Sequence, residues 1–252
     1  MKKYVFITGA SSGFGEACAH IFAKNGFSLV LVARRKDKLE QLKVSLQNDT
    51  VNIHCLELDI RNEKEVIQSI NSLPEIIKNN IHVLINNAGL AVGRSSIENA
   101  VTDDWERMID TNIKGLLYVS KAIIPLLKLH EYSQIVNISS IAGKEVYPSG
   151  NVYCATKHAV DALSKAMRID LVSHGIKVTN IAPGAAETEF SLVRFKGDVK
   201  TANSVYDGFE ALLANDVAEA IWFVTSRPAH VTINDITIMP TAQASATILY
   251  KK

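Results

Sequence analysis

A tyrosine and a lysine four residues apart, Tyr153 and Lys157, follow a serine doublet, Ser139 and Ser140, in NISSIAGKEVYPSGNVYCATK at 137–157. On a helix, a spacing of four puts both side chains on the same side, one turn apart. A phenol near its reference pKa of about 10 is a poor base at neutral pH, and a neighbouring cation lowers that pKa by favouring phenolate. The pair has the chemistry of a general acid/base, Tyr153, tuned by Lys157. Spacing alone also describes an ordinary amphipathic helix with a tyrosine at its start. The serines add a hydroxyl donor, and because successive strand residues point to opposite faces, only one of the two should reach the same place.

A second constellation is TGASSGFG at 8–15, which follows an apolar run and opens a helical pattern. Gly9, Gly13 and Gly15 permit a tight turn, close approach of the backbone to a pyrophosphate, and close helix–strand contact. Ser11 and Ser12 are small and polar, and the helix start supplies free N–H groups and a positive dipole end. A dinucleotide site is the expected reading. Many NAD sites place an acidic residue at the end of the second strand, where it accepts from the ribose 2′-hydroxyl. Here that strand ends in VARRKDK, so Arg34 and Arg35 stand at the deciding place. Arginine forks match a 2′-phosphate, which favours NADP over NAD; Asp37, close by, keeps NAD as the alternative.

The elements that must position these residues alternate along the chain. Strands are predicted at 4–10, 28–34, 53–59, 82–89, 134–140, 177–184 and 235–240, and helices at 14–25, 36–48, 63–72, 103–130, 153–173 and 216–226. Most of the strands are near-continuous apolar runs, as in sheets covered on both faces. The expected architecture is α/β, a Rossmann-type doubly wound parallel sheet of about seven strands in one domain spanning 1–252. Residues 185–214 break the alternation just after a strand's C-terminal end, where ligands bind in such sheets. That segment is expected to be a substrate lid, with a plain surface excursion as the alternative.

The chain has 252 residues, 47% hydrophobic and 21% charged, with a net charge of +1. No basic stripe points to nucleic acid, and the apolar runs are too short for a membrane span. The opening MKKYVFITGAS runs straight into the glycine-rich turn and reads as a first buried strand, not a leader. Cys18, Cys55 and Cys154 form no CxxC, and the seven histidines are scattered. These features argue against a metal site and fit a reducing, cytoplasmic setting.

These motifs, in this order, resemble those of the short-chain dehydrogenase/reductase family from one end of the chain to the other. The turn resembles the family's TGxxxGxG, and Asn86, Asn87, Ala88 and Gly89 its NNAG. Asp59, followed by Ile60, matches the acidic residue at the adenine end. Asn112 in DTNIKG corresponds to the catalytic-site asparagine, which in the family holds a water that relays protons from the lysine. A capping or back-bonding asparagine is the alternative there. Pro183, Gly184 and Thr188 match the loop on the nicotinamide side. In the family the serine lies thirteen residues before the tyrosine and is followed by x-x-Gly, which selects Ser140 and leaves Ser139 a structural hydroxyl. The resemblance thus implies a catalytic tetrad of Asn112, Ser140, Tyr153 and Lys157. It implies coenzyme contacts from Gly9, Ser11, Ser12, Gly13, Phe14, Gly15, Arg34, Arg35, Asp59, Ile60, Asn87, Ala88, Gly89, Tyr153, Lys157, Pro183, Gly184 and Thr188. One departure is Ala185, where an apolar residue more usual in the family packs the loop.

A narrower resemblance joins GNVYCATK, TEFSLVRFKGD and DVAEAIWFVTSRPAHVTIND to the NADP-dependent 3-hydroxy acid dehydrogenases, which oxidise serine, allo-threonine and similar acids. It implies a small carboxylate substrate, held at Ser140 and Tyr153. A carboxylate wants a cation, and of the two the lid offers, Arg194 and Lys196, Arg194 is the expected partner, with a plain surface arginine as the alternative. A broad carbonyl reductase or 3-oxoacyl reductase is the competing enzyme reading. A coenzyme-sensing protein without turnover is the other, and the intact tetrad speaks against it. The resemblance also implies a homo-oligomer, dimer or tetramer, built on the 103–130 and 153–173 helices. The tail QASATILYKK at 243–252 is apolar enough to pack on a neighbouring copy.

Overall fold

Seven parallel strands form one sheet in the order β3-β2-β1-β4-β5-β6-β7, in a computed structural model that describes residues 2–47 and 50–252. The strands are β1 Tyr4–Thr8, β2 Ser28–Ala33, β3 Ile53–Glu57, β4 Ile81–Asn86, β5 Ser133–Ile138, β6 Ile176–Pro183 and β7 Asp235–Ile238. Helices α1 Gly13–Lys24, α2 Lys36–Leu46, α3 Glu63–Asn71, α4 Glu75–Lys78, α5 Thr102–Ile109, α6 Leu116–Leu127, α7 Asn151–Leu171, α8 Glu189–Arg194, α9 Val199–Ser204 and α10 Ala214–Thr225 connect them. Every strand predicted from apolar runs is present, which gives the expected doubly wound α/β sheet. The last residue of the helix predicted over 36–48 lies outside the described residues.

Strand alternation divides the core between the two faces. Val5 and Ile7 pack with Leu29, Leu31, Phe22 and Val217 on one side; Phe6, Val30 and Val32 pack with Ile123 and Val160 on the other. Strands β1, β2 and β5 are therefore buried at every position, while the edge strands β3 and β7 stay partly open. On the first face α1 packs against α10. There the Trp222 ring meets the edges of Phe22 and Phe27, with centroids 5.3 and 6.0 Å away. A third, smaller apolar cluster joins Leu90, Met108, Tyr153 and Cys154, with Trp105 packed against it.

Two local outcomes differ from the sequence reading. The single helix expected over 103–130 is broken by a wide turn of π type, Asp110–Gly115, between α5 and α6. The strand expected to reach residue 89 ends at Asn86. The chain leaves the sheet there because the Asn87 side chain donates to Thr8 O at 2.9 Å and Gly9 O at 3.1 Å. The tail is tied to its own chain: the Ala185 N–H donates to Gln243 Oε1 at 2.8 Å and the Lys252 N–H to Gly208 O at 2.8 Å. Among the described residues, no helix is long and apolar enough to cross a membrane.

The chain order reverses between β1 and β4, and the crevice outside the strand ends at such a reversal is where ligands bind in open α/β sheets. The lid segment rises beside it. Its base is closed by a bridge between Ala186 and Leu212, with the Leu212 N–H donating to Ala185 O at 3.0 Å. Between those ends it carries α8 and α9 and no strand, as expected.

Candidate active site

The crevice is a cavity of about 1080 Å³, at the upper end of the range for small-molecule sites and large enough for a dinucleotide with a small substrate. All the coenzyme residues predicted from the sequence line it except Gly15. Gly15 lies underneath, where a Cβ would come 2.3 Å from Gly9 O and 2.6 Å from Asn87 Nδ2. No side chain fits there, so turn, helix and NNAG segment close on one another. Gly9 and Gly13 take left-handed φ of +66° and +56°. Thr8 joins the same knot: its hydroxyl accepts from the Asn87 and Ala88 N–H groups, both at 3.0 Å. At the start of α1, Ser12 makes no side-chain cap, which leaves the first-turn N–H groups and dipole end for an anion.

Arg35 lies across the turn. Its guanidinium donates to Ser12 Oγ at 2.8 Å and Ser11 Oγ at 3.1 Å, and pairs with Glu189 of α8 at 2.8 Å. Arg34 lines the cavity and its charge helps lower the Asp59 pKa. Asp37, the residue that kept NAD in play, sits exposed in the first turn of α2 and does not line the cavity. At the adenine end, Asp59 is gripped by Arg61 at 2.6 Å. That hydrogen bond is the main cause holding the Asp59 carboxyl below its usual range. Arg61, which the sequence reading passed over, also lines the cavity.

The tetrad residues converge at the ends of β4, β5 and β6. Tyr153 and Lys157 start α7, 8% and 5% exposed, and the Lys157 ammonium lies 5.9 Å from the Tyr153 ring centroid. Lys157 donates to Ile138 O at 2.9 Å, and burial pushes its pKa down to about 8. Tyr153 is pushed up, first by burial and then by Tyr147; the Ser140 hydrogen bond and the Arg194 charge pull the other way. Among the leading influences on Tyr153, the lowering ones are the Ser140 hydrogen bond and the Arg194 charge. Lys157, itself short of solvation, is not among the leading causes.

The serine doublet separates as strand alternation requires. Ser139 Oγ donates to Lys157 O at 3.0 Å beneath the site. Ser140 Oγ faces the cavity, donating to Pro183 O at 3.3 Å and accepting from the Ala142 N–H at 3.1 Å. Asn112, 2% exposed, neither caps nor back-bonds. Its amide spans out of the π-type turn to Leu90 N and Leu90 O, both at 2.9 Å, and to Thr156 Oγ1 at 3.0 Å. It thereby ties the NNAG segment to α7 one residue before Lys157.

Thr188 caps α8, accepting from the Phe190 N–H at 3.2 Å. Arg194, at the other end of α8, reaches back into the site. It donates to the Tyr147 hydroxyl at 3.0 Å, and its Cζ lies 5.5 Å from the Tyr147 ring centroid and 5.6 Å from that of Tyr153. Its Nε is buried without a hydrogen-bond partner. Arg94, whose charge also acts on Tyr147, lines the same cavity. Tyr147 and Arg94 had no motif to mark them. Lys196 instead points away, pairing with Asp104 at 2.8 Å.

A phenol, a hydroxyl and a lysine at the mouth of a dinucleotide cradle, on a sheet of this order, define an oxidoreductase of the reductase/dehydrogenase kind. The chain belongs to the short-chain dehydrogenase family, whose pattern it matches over residues 3–197. It is 45% identical to a sulfoacetaldehyde reductase of Chromohalobacter salexigens, covering 97% of this chain and 96% of that one. It is 42% identical to the NADP-dependent 3-hydroxy acid dehydrogenase YdfG of Escherichia coli K12, covering 96% of each. Its fold superposes on the closed form of a serine dehydrogenase complexed with NADP+ with a TM-score of 0.92, at 42% identity over 99% of both chains.

Proposed function

We propose that the protein is an NADP-dependent oxidoreductase that interconverts a short 3-hydroxy acid and its 3-oxo acid. Its residues fit the coenzyme: an uncapped α1 start for the pyrophosphate, a cradle under which only Gly15 fits, and Arg34 and Arg35 for a 2′-phosphate. When bound, the nicotinamide supplies or accepts the hydride. The protein's part is to move and hold the proton. Tyr153 Oη gives its proton to the substrate oxygen as hydride reaches the carbon, and takes it back in oxidation. Ser140 Oγ turns its hydroxyl from Pro183 O to the same oxygen and stabilises developing charge. Lys157, lining the cavity, would hold the coenzyme ribose, and Asn112 fixes the segment beside it through Leu90 and Thr156.

Arg194 carries the substrate reading. Its guanidinium stands beside Tyr153 with a buried, unpartnered Nε, a place for the acid group of a small substrate whose hydroxyl carbon faces Tyr153. The relatives named for a hydroxy acid and for a sulfoacetaldehyde both act on short acidic molecules, which supports the same reading. A sulfonate aldehyde is the second reading, favoured by the 45% relative. Oxidation of serine, allo-threonine and 3-hydroxybutyrate, and reduction of sulfoacetaldehyde and an acyl thioester, each with NADP and NAD in parallel, separates these readings. Arg194→Ala should raise KM for acidic substrates about 10- to 100-fold, the worth of a charge-assisted hydrogen bond, while KM for 2-butanol changes little. An equal effect on both sinks the assignment. We further propose a homo-oligomer, dimer or tetramer, working in the cytoplasm.

A further inference from the structure

Asp104 is a buried carboxylate that the chemistry above does not use. It lies in the first turn of α5 and is 5% exposed. A charge so removed from water needs a partner. That partner is on the lid: Lys196 Nζ stands 2.8 Å from Asp104 Oδ2, with side-chain exposures of 52% and 8% for the two residues. Lys196 reaches it from a left-handed backbone, φ 55°, a conformation that an L side chain adopts only where its surroundings hold it.

The wall between them is shaped to the same contact. Gly93 has φ +72°, and a Cβ there would come 2.7 Å from Asp104 Oδ2, so only glycine leaves the carboxylate its place. The Gly93 N–H donates to Arg194 O at 2.9 Å, two residues before Lys196. Asp104, Gly93 and the lid thus meet at the residue proposed to hold the substrate acid, and Asp104, Gly93, Tyr153 and Arg194 all line one small crevice. Lifting the lid strips Asp104 of its cation and leaves a buried charge unpaired, so the ion pair biases the lid towards the position in which Arg194 faces Tyr153.

We propose that Asp104 is a positioning residue for substrate specificity: its ion pair with Lys196 clasps the lid and sets the Arg194 guanidinium against Tyr153. This rests on the reading of Arg194 as the partner of an acidic substrate. The test compares 3-hydroxybutyrate with 2-butanol, secondary alcohols that differ in the acid group. Asp104→Asn should raise KM for 3-hydroxybutyrate about 3- to 30-fold, the range of energetic coupling through an intervening element. Both kcat and the KM for 2-butanol should stay near wild type. Lys196→Met, an exposed change that spares the α5 core, should do the same, and Lys196→Arg should restore the wild-type value. Hydrogen exchange across 189–204 should quicken in Asp104→Asn and Lys196→Met alone. On an Arg194→Ala background, Asp104→Asn should add nothing. If Arg194→Ala separates the two alcohols but Asp104→Asn and Lys196→Met do not, the clasp is refuted and Arg194 stands. If Arg194→Ala treats both alcohols alike, the substrate reading and the clasp fall together. An additive double variant, or an equal rise for 2-butanol, also overturns the clasp.

Discussion

Lys157 is a buried amine with one hydrogen bond, to Ile138 O, and the fold disfavours its charge. Its pKa is pushed from 10.5 to about 8 by burial. Between those values an unfolded chain holds a proton that the folded chain has released, so this group makes stability rise with pH across the window and leaves it flat on either side. The difference in unfolding free energy between wild type and Lys157→Met, measured by denaturant titration from pH 7 to 11, should grow in favour of wild type between about 8 and 10.5. A flat difference would remove the assignment. The serines make a second pair of outcomes. Ser140→Ala should lower kcat about 10²- to 10³-fold, as loss of an oxyanion donor does. Ser139→Ala should keep turnover and lose about 1 kcal/mol of stability with its bond to Lys157 O. The sequence separates these two in two steps: alternation lets only one of them face the site, and the family's thirteen-residue spacing to the tyrosine picks Ser140. It gave no hint of Tyr147, Arg94 or Arg61, whose importance comes only from where distant segments meet.

At the scale of elements, the strands were legible because burial on both faces leaves long apolar runs. The break in the 103–130 helix was not. The π-type turn keeps the apolar periodicity of its neighbours, and its cause is a side-chain contact from Asn112 to Leu90, far off in sequence. The Gly143 of the x-x-Gly pattern acquires a physical reason here: a Cβ would come 2.5 Å from Lys157 O, so the turn after Ser140 presses on α7 at Lys157. Helix α8 makes a further link, since its first residue, Glu189, holds Arg35 at 2.8 Å. A carboxylate there competes with a 2′-phosphate for the same fork. Glu189→Gln should tighten NADP binding a few-fold, because an exposed pair is worth about 0–1 kcal/mol, and leave NAD binding unchanged. Fluorescence titration with both coenzymes measures this, and weaker NADP binding would show that the pair supports the site instead.

The whole molecule is a rigid sheet with a lid whose two ends are pinned side by side at Ala186 and Leu212. The tail adds an outer brace. It supports the lid base through Gln243 and its far side through Lys252 at Gly208. Its apolar look in sequence is explained in part by Leu249, which lines the cavity, while Ile248 and Tyr250 stay 65% and 70% exposed. Removing residues 243–252 should raise KM for acidic substrates several-fold while the thermal midpoint of the sheet core shifts by only a few degrees, about 1 kcal/mol at this size. Kinetics and calorimetry on the truncated chain check both, and an unchanged KM would free the lid from the tail.

The chain's two tryptophans sit in different neighbourhoods. Trp222 is wedged between Phe22 and Phe27 on the far face of the sheet, while Trp105 packs in the cluster that contains Tyr153 and lines the crevice shared by Asp104 and Arg194. The protein therefore carries two built-in optical labels that report separate events. With Trp222 replaced by phenylalanine, the remaining indole emission follows lid and substrate alone; with Trp105 replaced, it follows the packing of α1 on α10. Opening of the site and melting of the frame can be timed apart in one molecule without attaching a dye.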